Sequence, residues 1–205
     1  MQRIWLVITL VAAASACGEL DDSFEPGQDD SSTEVEVGAV PELEYCDTTR
    51  EWNSGWSEFE AEVIRQVNLR RADGGVCTGN GRREEFGPSG ALRSHPALRC
   101  SARNHSLDMG TRGFFAHDSL NGVSSRDRIE TAGYRWSRIG ENIAVGQSGP
   151  AQVMEAWMSS FSHCQNILEP GFSEIGVGFF SSGSAHPENA QIPGRYWTQN
   201  FAAPR

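Results

Sequence analysis

The sequence predicts an α+β domain in which helices come first and strands later, packed in layers. Three observations carry that prediction. Apolar residues recur at helical spacing in stretches between Ser57 and Trp157. Two later segments, Ile175 to Phe180 and Tyr196 to Phe201, alternate in the manner of buried strands. A polar run from Ser181 to Pro193 joins those two segments, so they are expected to pair antiparallel.

The helices follow in order. Ser57 to Ala72 is the first: Phe59, Val63 and Val67 recur at i, i+4, i+8, and Ser57-Glu58-Phe59-Glu60 fits a capping box. Asn68 lies beside that stripe and reads as an interface amide. Gly74-Gly75 ends the helix, and the Gly-rich, charged run from Cys77 to Gly90 reads as a loop. Ser94 to Gly110 is the second helix, with Ser94 as N-cap and Pro96 in the first turn, where a missing N–H costs nothing. Its buried face is Leu98, Ala102, His105 and Met109, which makes His105 a hydrogen-bonded core histidine. Two aromatics, Phe114 and Phe115, then anchor the backbone ahead of His117. Asn121-Gly122 marks a turn, and Ser125 to Ala132 is a short third helix capped by Ser124 or Ser125. A fourth begins at Ser148 and Pro150, with Val153, Met154 and Trp157 as its stripe. Ser159 to Ser162 break the periodicity ahead of His163.

Between the third and fourth helices stands Gly140-Glu141-Asn142-Ile143-Ala144. A carboxylate and an amide sit side by side, with glycine before them and apolar residues behind. Such a segment carries a polar pair into a partly buried place. His117 and His163 flank it, and the three residues are expected to converge.

Composition bounds the rest. The 205 residues suffice for one domain with a full core plus extra segments. Hydrophobic content of 38% is low for a chain folded throughout. Of the formal net charge of −10, the segment from Gly18 to Tyr45 holds ten Asp and Glu and no basic residue, so the remainder is close to neutral. No basic excess is left to recognise nucleic acid. The acidic segment is too poor in large apolar groups to offset its ordering entropy and reads as a flexible tether. Ahead of it, Met1-Gln2-Arg3 is a positive n-region and Ile4 to Ala13 an apolar h-region too short to span a bilayer. Ala14-Ser15-Ala16-Cys17 resembles a bacterial lipobox, with Ala14 where Leu is usual. Cys17 is therefore expected to be lipidated and to anchor the chain in a lipid bilayer. Residues 1–17 are the signal, 18–45 the tether and 46–205 the domain. Gly18 after Cys17 lacks the Asp associated with inner-membrane retention, so the outer membrane is expected, with secretion as the alternative. The domain is expected to be a monomer.

Four cysteines remain: Cys46, Cys77, Cys100 and Cys164. An even number in an exported chain favours two disulfides, for which three connectivities exist. No Cys or His spacing suits a structural zinc site.

Four motifs occur together: Phe115-Ala116-His117, Gly140 to Ala144, Trp157 to His163, and Tyr196-Trp197-Thr198-Gln199-Asn200-Phe201. In that order they resemble bacterial domains of the CAP superfamily, named for cysteine-rich secretory proteins, antigen 5 and pathogenesis-related 1 proteins. Asn68 and Arg71 fit that family's N-x-x-R, Asp108-Met109 its second helix, and Glu174 to Gly178 its strand after the second His. The resemblance covers about residues 57 to 202. It implies a three-layer α-β-α sandwich with a central, mainly antiparallel sheet and a cleft above it. In many members two His and two Glu line the cleft and hold a divalent metal. His117, Glu141 and His163 match three of these, and the fourth place falls on Ser160, a poor ligand. The three could still hold Zn²⁺ with an open position. The resemblance also implies disulfides Cys77–Cys164 and Cys46–Cys100.

Three functions follow from this reading. The first is a non-enzymatic binding module for an apolar small molecule or a protein partner. The second is a metal-assisted hydrolase with Glu141 as general base, against which no HExxH or GxSxG occurs. The third is an interaction protein in which His117, Glu141 and His163 fix the fold and surface loops act.

Overall fold

The computed structural model describes residues 38–183 and 194–205. The signal segment, Cys17, the tether as far as residue 37 and the polar loop from residue 184 to 193 lie outside them. A short 3-10 helix, Glu44–Thr49, leads into α1, Ser54–Asp73. Asn53 caps α1 by accepting from the Trp56 N–H at 3.1 Å, so the helix starts ahead of Ser57. The expected capping box is not formed. Ser57 Oγ instead accepts from Arg103, and Glu60 turns inward to pair with Arg103 at 2.6 Å.

The run from Cys77 to Gly90, expected as a loop, contains an antiparallel hairpin of β1, Gly75–Gly79, and β2, Arg82–Phe86. Asn80 and Gly81 have φ of 50° and 72°, the two left-handed residues of a tight hairpin turn. After β3, Arg93–Ser94, comes α2, Pro96–Arg112. Its cap is His95 and not Ser94: His95 Nδ1 accepts from the Ala97 N–H at 3.2 Å. α3, Ser125–Thr131, carries a capping box of Ser124 and Asp127. Then follow β4, Trp136–Val145; α4, Pro150–Met158; α5, Phe161–Leu168; β5, Glu174–Ser181; and β6, Arg195–Pro204.

The main sheet has the order β3-β5-β6-β4, parallel only between β3 and β5. Ile175, Val177 and Phe179 of β5, with Trp197 and Phe201 of β6, pack against α1, α4 and α5. The opposite face takes α2. There a Cβ on Gly176 would lie 2.1 Å from the Leu98 carbonyl carbon, and one on Gly178 would lie 2.3 Å from the Arg103 nitrogen. The alternation of small and apolar residues in β5 therefore has a cause: one face fills a core and the other admits a helix backbone. α3 packs beside α2, which completes the α-β-α sandwich.

Disulfides Cys46–Cys100 and Cys77–Cys164 tie the 3-10 helix to α2 and the hairpin to α5. This is the pairing implied by the resemblance. Arg71, 1% exposed, donates to the carbonyls of Gly90, Ile167, Glu169 and Phe172 and ties α1 to two loops. Asn68 exchanges two hydrogen bonds with the Leu92 backbone, the interface amide expected. The folded body reaches back past Cys46 into the stretch expected as tether. Val40 is 6% exposed and packs with Cys46, Ala97 and Tyr134.

Candidate functional site

β4 is an edge strand, and successive side chains of a strand point to opposite faces. Glu141 and Asn142 therefore serve different helical layers. Glu141 faces α3 and the loop after α2, where Arg128 Nη2 donates to Oε2 at 2.7 Å and His117 Nδ1 stands 2.9 Å from Oε1. Asn142 faces α5: its Nδ2 donates to the His163 carbonyl at 3.1 Å, and its Oδ1 accepts from Asn166 at 2.8 Å. The strand partners of this pair complete both sides. Gln199 Oε1 accepts from Asn142 at 3.1 Å. Asn200 turns its amide nitrogen to Glu141 Oε2 at 3.1 Å, and its oxygen accepts from the Ala102 N–H at 3.2 Å.

The loop carrying His117 is held on both sides. Gly113, left-handed at φ 65°, ends α2. Phe114 packs inward, whereas Phe115, expected as a second anchor, is 43% exposed. His105 Nε2 donates to the Ala116 carbonyl at 2.9 Å, and Arg128 donates to the carbonyl of His117 itself at 2.9 Å. Burial pushes the pKa of His105 down to about 4, so it is a neutral core histidine.

Burial alone would raise the pKa of Glu141. The hydrogen bond from His117 and the charge of Arg128 outweigh it and hold the carboxyl below its usual range. The bond to Glu141 raises the pKa of His117. His163 is depressed, first by burial and then by the charge of His117. Its imidazole has no hydrogen-bond partner among the described residues. Helix α5 and the Cys77–Cys164 bridge position it.

The structure thus joins His117 to Glu141 directly and brings His163 within electrostatic reach of His117. Asn142 reaches the backbone carbonyl of His163, so the segment carrying that histidine is tied to β4 next to Glu141. Ser160 is the N-cap residue of α5 and makes no side-chain cap hydrogen bond. Arg128, Asn200 and Asn166 are the members that sequence reasoning missed. A signal for Arg128 existed, since a buried carboxylate needs a cation.

A three-ligand metal centre does not fit this donor set. Both oxygens of Glu141 are engaged, one of them by a fixed guanidinium. Among the described residues no three His, Cys, Asp or Glu stand grouped as metal ligands. The open donors are His117 Nε2 and the His163 ring. A cavity of about 820 Å³ lies elsewhere, beside Glu130, Tyr134, Trp136 and Arg205.

The sequence model of the CAP family, described as the cysteine-rich secretory protein family, matches residues 88–201. The chain belongs to the CAP family. That match contains His117, Glu141, Ser160 and His163, while Asn68 and Arg71 precede it. The chain is also 34% identical over 158 residues to uncharacterized protein YkwD of Bacillus subtilis (strain 168), covering 77% of this chain and 52% of that protein. It thus spans about half the length of that curated relative. Among solved structures it is similar to an extracellular protein containing an SCP domain from Bacillus anthracis str. Ames, with TM-score 0.55 and 22% identity over 71% of this chain and 40% of that one. It is also similar to a cysteine-rich secretory protein from Staphylococcus aureus, with TM-score 0.50 and 14% identity over 73% and 39%. Both likenesses speak for the fold, and this chain shares with them the CAP layering of helices about an antiparallel sheet.

Proposed function

We propose that this CAP domain is an exported, non-enzymatic binding module, held at a membrane by a lipid on Cys17, that takes an apolar small molecule at the His117 edge. One observation carries the choice of binding over hydrolysis. Glu141 spends both carboxylate oxygens on Arg128, His117 and Asn200, and its pKa is lowered. A general base needs a free lone pair and a pKa near the working pH. Three of the four lone-pair positions of Glu141 are taken and its pKa is lowered, so it acts as a fixed anion that orients His117.

Around that anion the outward surface is mixed. His117 is 56% exposed on its side chain, and Phe115 and Leu120 in the same loop are 43% and 60% exposed. Exposed apolar groups beside a rigid polar cluster suit a ligand with an apolar body and a polar end. Two disulfides agree with an oxidising compartment. The lipobox-like run before Cys17 supports the anchor.

The test is extraction and mass spectrometry of the chain purified from membranes, beside a Phe115→Ser/Leu120→Ser variant. An apolar species retained by the parent and lost from the variant is expected. Equal recovery from both, or none from either, removes the reading. Tryptic mapping tests the anchor separately, and an unmodified Cys17 in the mature protein would remove it. Zinc titration against His117→Ala measures what the open His117 Nε2 and the His163 ring hold.

A further inference from the structure

A second cavity, about 280 Å³, opens on the other side of Arg128 from Glu141. It lies between the 3-10 helix (Tyr45), the exposed face of α2 (Asp108), the loop after α2 (Ser119, Asn121, Val123) and α3 (Arg128). Its volume is just under that of ordinary drug-sized pockets and equals the liquid volume of about nine waters.

Part of the hydrogen-bonding capacity of this wall is unspent. Arg128 lines the cavity but offers it no donor: it is 3% exposed, its Nε is buried and both terminal nitrogens are bonded. The Tyr45 and Ser119 hydroxyls have no hydrogen bond among the described residues. Asp108 gives Oδ1 to Arg112 at 3.1 Å and keeps Oδ2. Asn121 gives its oxygen to the Val123 N–H and keeps its NH₂.

The charges, by contrast, are spent. Arg128 is offset by Glu141, and Asp108 by Arg112. Neither an anion nor a cation would find an uncompensated partner. What fits is a neutral ligand that both donates and accepts at several points, with some C–H surface for Tyr45 and Val123. Burial pushes the Tyr45 hydroxyl up to about 12, which keeps it a donor at any ordinary pH.

We infer that this cavity binds a single neutral sugar unit, whose neighbouring hydroxyls donate to Asp108 and accept from Asn121, Ser119 and Tyr45. The inference is separable from the apolar ligand proposed at His117, because the two sites share Arg128 and the loop after α2 but use different side chains of that loop.

The test is a titration of the full chain with glucose, N-acetylglucosamine, sodium acetate and ammonium chloride, followed by the NMR signals of Ser119 to Val123. Saturable shifts with at least one sugar and none with acetate or ammonium are expected. Asp108→Asn, which keeps the side-chain shape, and Ser119→Ala should each weaken the sugar by about tenfold. No saturation by either sugar up to about 50 mM, well above a millimolar Kd, overturns the inference. So does saturation by acetate or ammonium, or sugar affinity unchanged in both variants. Because Phe115 and Leu120 are untouched, failure here leaves the lipid-extraction result standing, and the reverse holds.

Discussion

Arg128 and Glu141 form an ion pair sealed inside the domain: Nη2 lies 2.7 Å from Oε2, and the side chains are 3% and 4% exposed. The same guanidinium holds the carbonyls of His117 and Val123. One side chain thus joins α3, the His117 loop and the edge strand. Removing it strands a buried carboxylate. Arg128→Ala should destabilise the domain by about 3–5 kcal/mol in chemical denaturation. Arg128→Met with Glu141→Gln should recover much of that loss, because the uncompensated charge is gone. A double variant no better than Arg128→Ala would mean that the carbonyl contacts matter more than the charge.

Two histidines should pull stability in opposite directions with pH. Glu141 raises the folded pKa of His117 above its ordinary 6.5. Its contribution is full below pH 6.5 and fades as pH rises through the raised value. His105 is depressed to about 4. Its contribution is full above 6.5 and is lost as pH falls from there towards 4, by about 3 kcal/mol in all. Denaturation of His117→Asn and His105→Asn across pH 4 to 8 checks both signs. The His117 variant should lose its deficit towards pH 8, and the His105 variant should flatten the acid limb.

Glycines at the helix–sheet seam admit no side chain. A Cβ on Gly176 or Gly178 would fall within 2.1 or 2.3 Å of the α2 backbone. Backbone cannot rotate away as a side chain can, so either Ala substitution should cost at least about 1–3 kcal/mol. Gly87→Ala, with nothing within 4 Å, should be close to neutral. Melting curves of the three variants check the contrast.

The Cys77–Cys164 bridge pins the hairpin to the helix that positions His163. Cys77→Ala/Cys164→Ala should lower stability by about 2–4 kcal/mol. It should also raise amide exchange in α5 above that in α2, whose own bridge to Cys46 is intact. Equal exchange in both helices would show that packing alone holds α5.

The sequence by itself determined what depends on local chemistry and order. Helical stripes at Val63–Val67 and Leu98–Met109, the alternation in the two late strands and the order of the CAP motifs were enough for the class and its layers. Even so, local signals were misread where a residue had two uses. Ser57 and Glu60 looked like a cap because their spacing suits one, but Arg103 claims both from another helix. Asn80-Gly81 carried a hairpin signal that the surrounding charge concealed.

Only the tertiary structure decided who partners Glu141. The sequence placed it beside Asn142 and between two histidines, which invited a single three-residue site. Strand alternation sends the two neighbours to opposite faces, so Glu141 meets His117 and Arg128 while Asn142 bonds the backbone carbonyl of His163. A buried carboxylate calls for a cation, but that it would be Arg128, with Asn200 beside it, could not be read in advance. Their roles come from contacts between elements far apart in the chain, and no local pattern records which buried cation lies within 3 Å of which carboxylate.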